Sequence, residues 1–290
     1  MTTKINAPLK PSELVTAPDG SLYHIRLTAD TLADRVILVG DPQRVDMFKD
    51  IFETIEHESI NRELHALTGI YHGARITALS TGMGCDNIDI VLTELDAAAN
   101  IVGNTDGNRH LRIVRVGTSG SLQADIDCRS TVASRYALGM DGLMNYYAEW
   151  DAPLASLEQQ FAAHMQLRST LSHTYAAAAS STLLETVGEG MHHGITVTAG
   201  GFYGPQGRTI RLHPSIENLN EKLASFAYDG TPVTNLEMET SAIYGFSHLL
   251  GHEALTVCLI IANRPQGTFL NDYHAPMRRL VGTVVERLAI

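Results

Sequence analysis

Short β-branched, apolar runs alternate along the chain with longer stretches of helical periodicity, and most of the runs end in a glycine-containing turn. Arg35–Gly40 (RVILVG), Arg75–Gly82 (RITALSTG), Leu111–Gly120 (LRIVRVGTSG), Gly194–Gly201 (GITVTAGG) and Ala254–Asn263 (ALTVCLIIAN) are predicted strands. Several are apolar on both faces, as in a sheet covered by helices, which indicates an α/β architecture. Helices are predicted at Pro42 to about Phe52, Asn87 to about Ile101, Leu154 to Val187, Ser215 to Ala227, Glu237 to Leu250, and His274 to the end. Asp41 before Pro42 is an N-cap followed by proline at the first helical position, where a missing N–H costs nothing. In the last helix Met277, Leu280, Val281, Val284, Val285 and Leu288 recur at three- and four-residue steps and form one apolar face. The polar stretch GNTDGNRH (Gly103–His110) reads as a surface loop. With no internal repeat, linker or composition shift, residues 1–290 are expected to form one domain, residues 1–20 being partly extended.

Composition narrows the function classes. The 290 residues are 44% apolar and 18% charged, which excludes a disordered chain. The 21 Lys and Arg against 32 Asp and Glu leave a formal charge of −11, which argues against general binding of nucleic acid or anionic membrane. An anionic ligand must therefore meet a local group of arginines. Cys85, Cys128 and Cys258 are odd in number and far apart, so neither a disulfide framework nor a zinc site is indicated. The first twenty residues have no apolar core of the export kind, and no run of about 18 apolar residues occurs. A cytoplasmic location is expected.

Glycine turns at strand ends are where open α/β sheets bind ligands and where backbone N–H groups can face an anion. VGDPQRV offers Gly40 and, one turn into a helix, Arg44; a capped turn with a solvated arginine explains this motif alone equally well. STGMGCDN begins like a dinucleotide fingerprint, but Asn87 stands where the third glycine belongs, and no GxxxxGK[ST] run exists. In RVGTSG, Arg115 lies inside an apolar strand before what reads as a Gly117–Gly120 turn. Burying it is costly unless a carboxylate, a helix C-terminus or a bound anion pairs with it. An anion is the favoured partner, with Thr118 and Ser119 hydroxyls and turn amides as further donors. NLEMET places Glu237 and Glu239 around Met238 at a helix mouth, where one carboxylate is expected to cap and the pair could equally face a polyol. GGFYGPQGR carries Phe202, Gln206 and Arg208; an amide with a guanidinium can read a flat heterocycle. His192–His193 has no partner at metal spacing, and GTSGS misses the serine-hydrolase elbow because Ser121 replaces its last glycine.

In order, YHIRLT, VGDPQRV, NRE, STGMG, RVGTSG, GGFYGPQGR, NLEMET and IANR resemble the nucleoside phosphorylase family, and within it the uridine phosphorylase branch, from about Tyr23 to the C-terminus. The resemblance implies a three-layer α/β/α sandwich around a central twisted mixed sheet, a homo-oligomer of at least two chains, and reversible phosphorolysis of uridine to uracil and ribose 1-phosphate. By the same resemblance, phosphate would be held by Gly40, Arg44, Arg115, Thr118 and a neighbouring subunit's copy of Arg62. Ribose would be held by Met238 and Glu239, with His24 reaching the 5′-hydroxyl across the interface. Uracil would lie against Phe202, Gln206, Arg208 and Arg264, and the catalytic set would be Arg208, Gln206 and Glu239. Charge developing on uracil would be stabilised by Arg208 and Gln206, without a covalent enzyme nucleophile.

Three departures from the family pattern bear on these expectations. Gly204 precedes Pro205, where the family has proline, glycine, glutamine. The family's monovalent-cation site uses a serine and the position of Glu63, but Asn87 stands at that serine, which makes Glu63 a doubtful ligand. Gly103–His110 resembles an insertion and leaves ring assembly open. No metal or organic cofactor is expected, phosphate being a co-substrate. The family's purine branch tends to carry an aspartate near Asn263–Arg264, and its absence here favours pyrimidine. A purine or broad-specificity phosphorylase, or a non-catalytic nucleoside-binding member of the fold, stays open as an alternative.

Overall fold

The computed structural model describes residues 9–103, 107–167 and 173–290. Strands β1 (Arg35–Val39), β2 (Thr54–Asn61), β3 (Leu64–Tyr71), β4 (Ala74–Ser80), β5 (Arg112–Ser121), β6 (Thr131–Gly139), β7 (Tyr175–Ala178), β8 (His192–Thr198), β9 (Ala227–Tyr228), β10 (Thr231–Glu237), β11 (Glu253–Asn263) and β12 (Thr268–Phe269) form one mixed sheet system. The helices are α1 (Pro42–Val45), α2 (Cys85–Asn100), α3 (Ala155–Met165), α4 (Ser181–Thr186), α5 (Leu219–Ala224), α6 (Thr240–Leu250) and α7 (His274–Ala289). Among the described residues no helix is long and apolar enough to cross a membrane.

Alternation along β1 shows why the chain layers as it does. Val36 and Leu38 pack with α2 and α6 on one face, while Ile37 and Val39 pack with α1 and α7 on the other. The six apolar residues of α7 named from periodicity are all buried there. The sheet runs β2-β3-β4-β1-β5 and then closes: β5 pairs with β11, β11 with β6, β6 with β8, β8 with β10, and β10 again with β5. The last contact is brief and antiparallel, Asn235 opposite Ser121 and Leu236 opposite Gly120, so the C-terminal ends of β5 and β10 cross.

Several expected elements differ. Leu154–Val187 is not one helix: α3 ends at Met165, where Gln166 turns left-handed (φ 51°), and Tyr175–Ala178 pairs as β7 on β6. Cross-strand pairing overrides the helix preference of alanine there. The helix expected from Glu237 starts at Thr240, with Glu237 closing β10; that from Ser215 shrinks to Leu219–Ala224; and that from Pro42 tightens into a 3-10 turn after Val45. Strands β2, β3, β6, β9, β10 and β12 were not expected either; β2 is a polar edge strand without apolar alternation. Of the N-terminal segment, residues 1–8 lie outside the described residues, and residues 9–20 form turns closed by a bridge between Thr16 and Leu22. Residues 104–106 of the Gly103–His110 loop likewise lie outside them.

Candidate active site

The ends of β1, β4, β5 and β10 meet in one place. The turns after β1 and β4 touch, a Cβ on Gly40 falling 3.5 Å from the Gly82 carbonyl oxygen. Asp41 caps α1 through Gln43 N–H (2.9 Å), as expected, and this turn carries Arg44 inward until only 8% of it is exposed. Arg44 donates to the Val116 carbonyl (3.3 Å) and has no carboxylate ion-pair partner among the described residues. Burial pushes its pKa down, Tyr273 opposes this, and the Arg115 guanidinium adds to it. Two guanidiniums are thus held together, one of them without a carboxylate in ion-pair contact among the described residues.

Arg115 is 4% exposed and is held differently. Its Nη2 pairs with Glu239 and its Nη1 with Glu237 (3.3 Å). Burial works against its charge, but Glu239 and then Glu237 more than offset it and hold the guanidinium protonated above its usual range. Carboxylates therefore meet the pairing requirement that sequence assigned to an anion. Arg44, buried with only a carbonyl as its partner among the described residues, carries that argument instead. The expected turn at Gly117–Gly120 is corrected too. β5 continues to Ser121, laddered to β11, so Gly117–Gly120 is strand and not a turn. Ser119 is buried and accepts from Asn235 Nδ2 (2.9 Å), while Thr118 is half-buried.

The two glutamates divide their work. Glu237 accepts from the N–H groups of Glu239 (2.9 Å) and Thr240 and from the Thr198 hydroxyl (2.7 Å), so it caps α6. Glu239 accepts from Gly84 N–H (2.7 Å) and pairs with Arg115, so it links the turn after β4 to β5. Burial first, with a further push from Glu237, raises its pKa against the pull of Arg115. Met238 is half-buried beside it, its carbonyl accepting from Cys85 Sγ (3.3 Å).

The loop after β8 supplies a second group. A 3-10 turn at Gly204–Gln206 ends at Gly207 with φ 71°, and this reversal brings Gln206 and Arg208 side by side. Arg208 Nη1 donates to Gln206 Oε1 (2.6 Å) and to the Phe202 carbonyl (2.5 Å), and its guanidinium lies 3.8 Å from the Phe202 ring centroid. Arg264, beyond the end of β11, donates to the Gln206 carbonyl (3.2 Å) and passes over Gly120. The loop is thereby tied to β5. Burial and the nearby Arg264 push the Arg208 pKa down.

Residues 34–284 match the family model described as Phosphorylase superfamily. The chain belongs to the phosphorylase superfamily. A uridine phosphorylase from Thermococcus kodakarensis is 29% identical over 87% of this chain and 80% of its own length. A DeoD-type purine nucleoside phosphorylase from Oceanobacillus iheyensis is 26% identical over 82% and 85%. A Trypanosoma brucei nucleoside phosphorylase whose crystal structure shows uridine phosphorylase activity superposes with TM-score 0.85 at 31% identity, covering 95% of this chain and 99% of that one. The protein is an enzyme of the nucleoside phosphorylase kind, a pentosyltransferase acting on nucleoside and phosphate.

Two other expected site residues of this phosphorylase lie apart from the cluster within one chain. Arg62 sits exposed at the β2–β3 tip (φ 56°) with no ion-pair partner among the described residues. His24 is held by Glu94 of α2, its Nδ1 2.5 Å from Oε1 and its backbone N–H 3.0 Å from Oε2. Glu94 was not foreseen: it is one of four acidic residues in α2, and only its contact with His24 and Ile25 sets it apart. Glu63 and Asn87 both lean on Gly82, where a Cβ would fall 3.1 Å from Glu63 Cγ. The one group of described residues spaced to hold a metal is elsewhere, at Asp46, Glu58 and His65, and there the Lys49 ammonium already joins Asp46 (3.0 Å) to Glu58 (2.6 Å).

Proposed function

We propose that this nucleoside phosphorylase is a uridine phosphorylase, cleaving uridine with phosphate to give uracil and ribose 1-phosphate. The observation that carries the pyrimidine reading is the Gln206–Arg208 pair, fixed to β5 through Arg264. An amide and a guanidinium side by side offer both donors and an acceptor to a flat edge that has two carbonyls and an N–H.

In this reading Arg44, Arg115, Gly40 and Thr118 receive phosphate, joined by Arg62 of a second chain. Glu239 and Met238 receive the ribose, with Glu239 accepting from the 2′- and 3′-hydroxyls, and a second chain's His24, oriented by its own Glu94, meets the 5′-hydroxyl. The C1′–N1 bond breaks with its electron pair passing to uracil, whose negative charge faces Arg208 and Gln206. A phosphate oxygen then bonds to C1′, and the uracil anion takes a proton from solvent. Positioning and preorganised charge supply most of the acceleration. The chain works as one domain, as a cytoplasmic homo-oligomer of at least two copies, in pyrimidine salvage, without organic cofactor or metal.

The purine reading draws support from the DeoD-type relatives. Against it, Asn263 spends its amide on the carbonyls of Gln123, Ala124 and Ile126, and Arg264 and Pro265 follow, so no carboxylate stands there to protonate a purine. Competition among uridine, thymidine and inosine tests the choice. Higher kcat/KM for uridine is expected, and preference for inosine would overturn the pyrimidine reading.

A further inference from the structure

Arg115 occupies its place because of one residue on its own strand and one on the neighbouring strand β11. Its guanidinium folds back along its own strand over Gly117, where any Cβ would land on it. Opposite Gly117 in the β5–β11 register stands Cys258, fully buried, and Arg115 Nη1 lies 3.6 Å from its Sγ. Burial pushes the Cys258 pKa up to about 11, so it is a neutral thiol at physiological pH. On its other side Cys258 contacts the Ser119 hydroxyl, Ser119 accepts from Asn235, and Asn235 Oδ1 accepts from Thr196 (2.8 Å) and Thr234 (2.9 Å). A chain of polar contacts therefore crosses the inside of the closed ring from β8 and β10 to β5 and β11 and ends on the guanidinium.

The chemistry of this end group matters. Nη2 is committed to Glu239 and Nη1 to Glu237, so a third carboxylate would overneutralise Arg115, and an alanine would leave Nη1 a void to swing into. A thiol fills the space and accepts weakly without taking charge. We infer that Cys258 is a positioning residue for phosphate: with Gly117 it fixes the Arg115 guanidinium in the orientation in which Glu237 and Glu239 also hold it. This rests on the reading of Arg115 as a phosphate ligand.

The test is steady-state kinetics of C258A, C258S and R115K, each with phosphate and uridine varied separately. C258A is expected to raise the phosphate KM about three- to tenfold, the scale of one weak hydrogen bond, while the uridine KM moves less than about twofold. C258S, which keeps an acceptor, returns the phosphate KM to within about twofold of the parent even where its melting temperature falls as far as that of C258A. A packing role alone would make both variants track stability and leave the two KM values moving together, which would overturn the inference. In the unmodified protein the infrared S–H band that vanishes in C258S should shift when inorganic phosphate is added, and a band that does not move contradicts it. R115K separates the two claims. An unchanged phosphate KM in R115K removes Arg115 from the phosphate site, whereas a raised KM in R115K beside an unchanged one in C258A removes only the role of Cys258.

Discussion

The two halves of the candidate site are built on opposite plans. Around β5, four charged side chains, Arg44, Arg115, Glu237 and Glu239, are almost wholly buried on strand ends and short turns, and one of the four, Arg44, makes no ion pair with a carboxylate among the described residues. In the loop after β8, Phe202 is 50% exposed, Arg208 stacks on it, and the group is tied down by a few hydrogen bonds to a 3-10 turn. Buried charges cannot move without large cost, so the first half suits a step that every substrate shares. The loop can change residues without disturbing the core, so the second half suits discrimination between bases.

Breaking the first half should have the largest effect. Arg115→Ala would strip the partner from two buried carboxylates, so it is expected to lose stability by about 3–5 kcal/mol as well as turnover, measurable by denaturant unfolding and by phosphorolysis. Arg44→Ala should separate function from folding. It removes a buried cation with no carboxylate, so the phosphate KM should rise about 10- to 100-fold while the melting temperature holds or climbs. An equal loss of stability in both variants would erase the distinction between paired and unpaired arginine.

In the second half, Arg208→Ala should lower kcat/KM for uridine by about 10²-fold with little change in stability, as expected for a half-exposed group that meets charge only in the transition state. A smaller effect is expected from pH. Because the Glu239 pKa is raised, its carboxylate form is lost as pH falls through a value above the ordinary glutamate range, and kcat/KM for nucleoside should fall with it. The same shift means that the folded state holds its proton more tightly than the unfolded state, so this group favours the fold at low pH and the contribution fades as pH rises through that window. Glu239→Gln should remove both the acid limb in the kinetics and this part of the stability profile.

The same contrast explains what could be read beforehand. Periodicity identified β1, β4, β5, β8, β11 and α7, and Asp41–Pro42 marked a helix start, because these depend on local chemistry. The ring closure through β6 and β10 depends on pairings between distant segments, and Tyr175–Ala178 joined an edge against its own helix propensity. Arg115 was singled out correctly as a charge needing a partner, but sequence could not say that Glu237 at the end of β10 and Glu239 before α6 would supply it. Gln206 and Arg208 were legible as a pair because two residues on one short turn are neighbours in any fold. Glu94 and Cys258 were not, since each matters only through a contact about 70 or 143 residues away.

The measurement that bears most directly on the account is release of uracil from uridine by the unmodified protein with and without inorganic phosphate, with ribose 1-phosphate assayed in parallel. Uracil and ribose 1-phosphate formed one for one, and only when phosphate is present, is the predicted result. Uracil released at the same rate without phosphate would contradict it, leaving buried Arg44 without the anion that its guanidinium, unpaired among the described residues, implies.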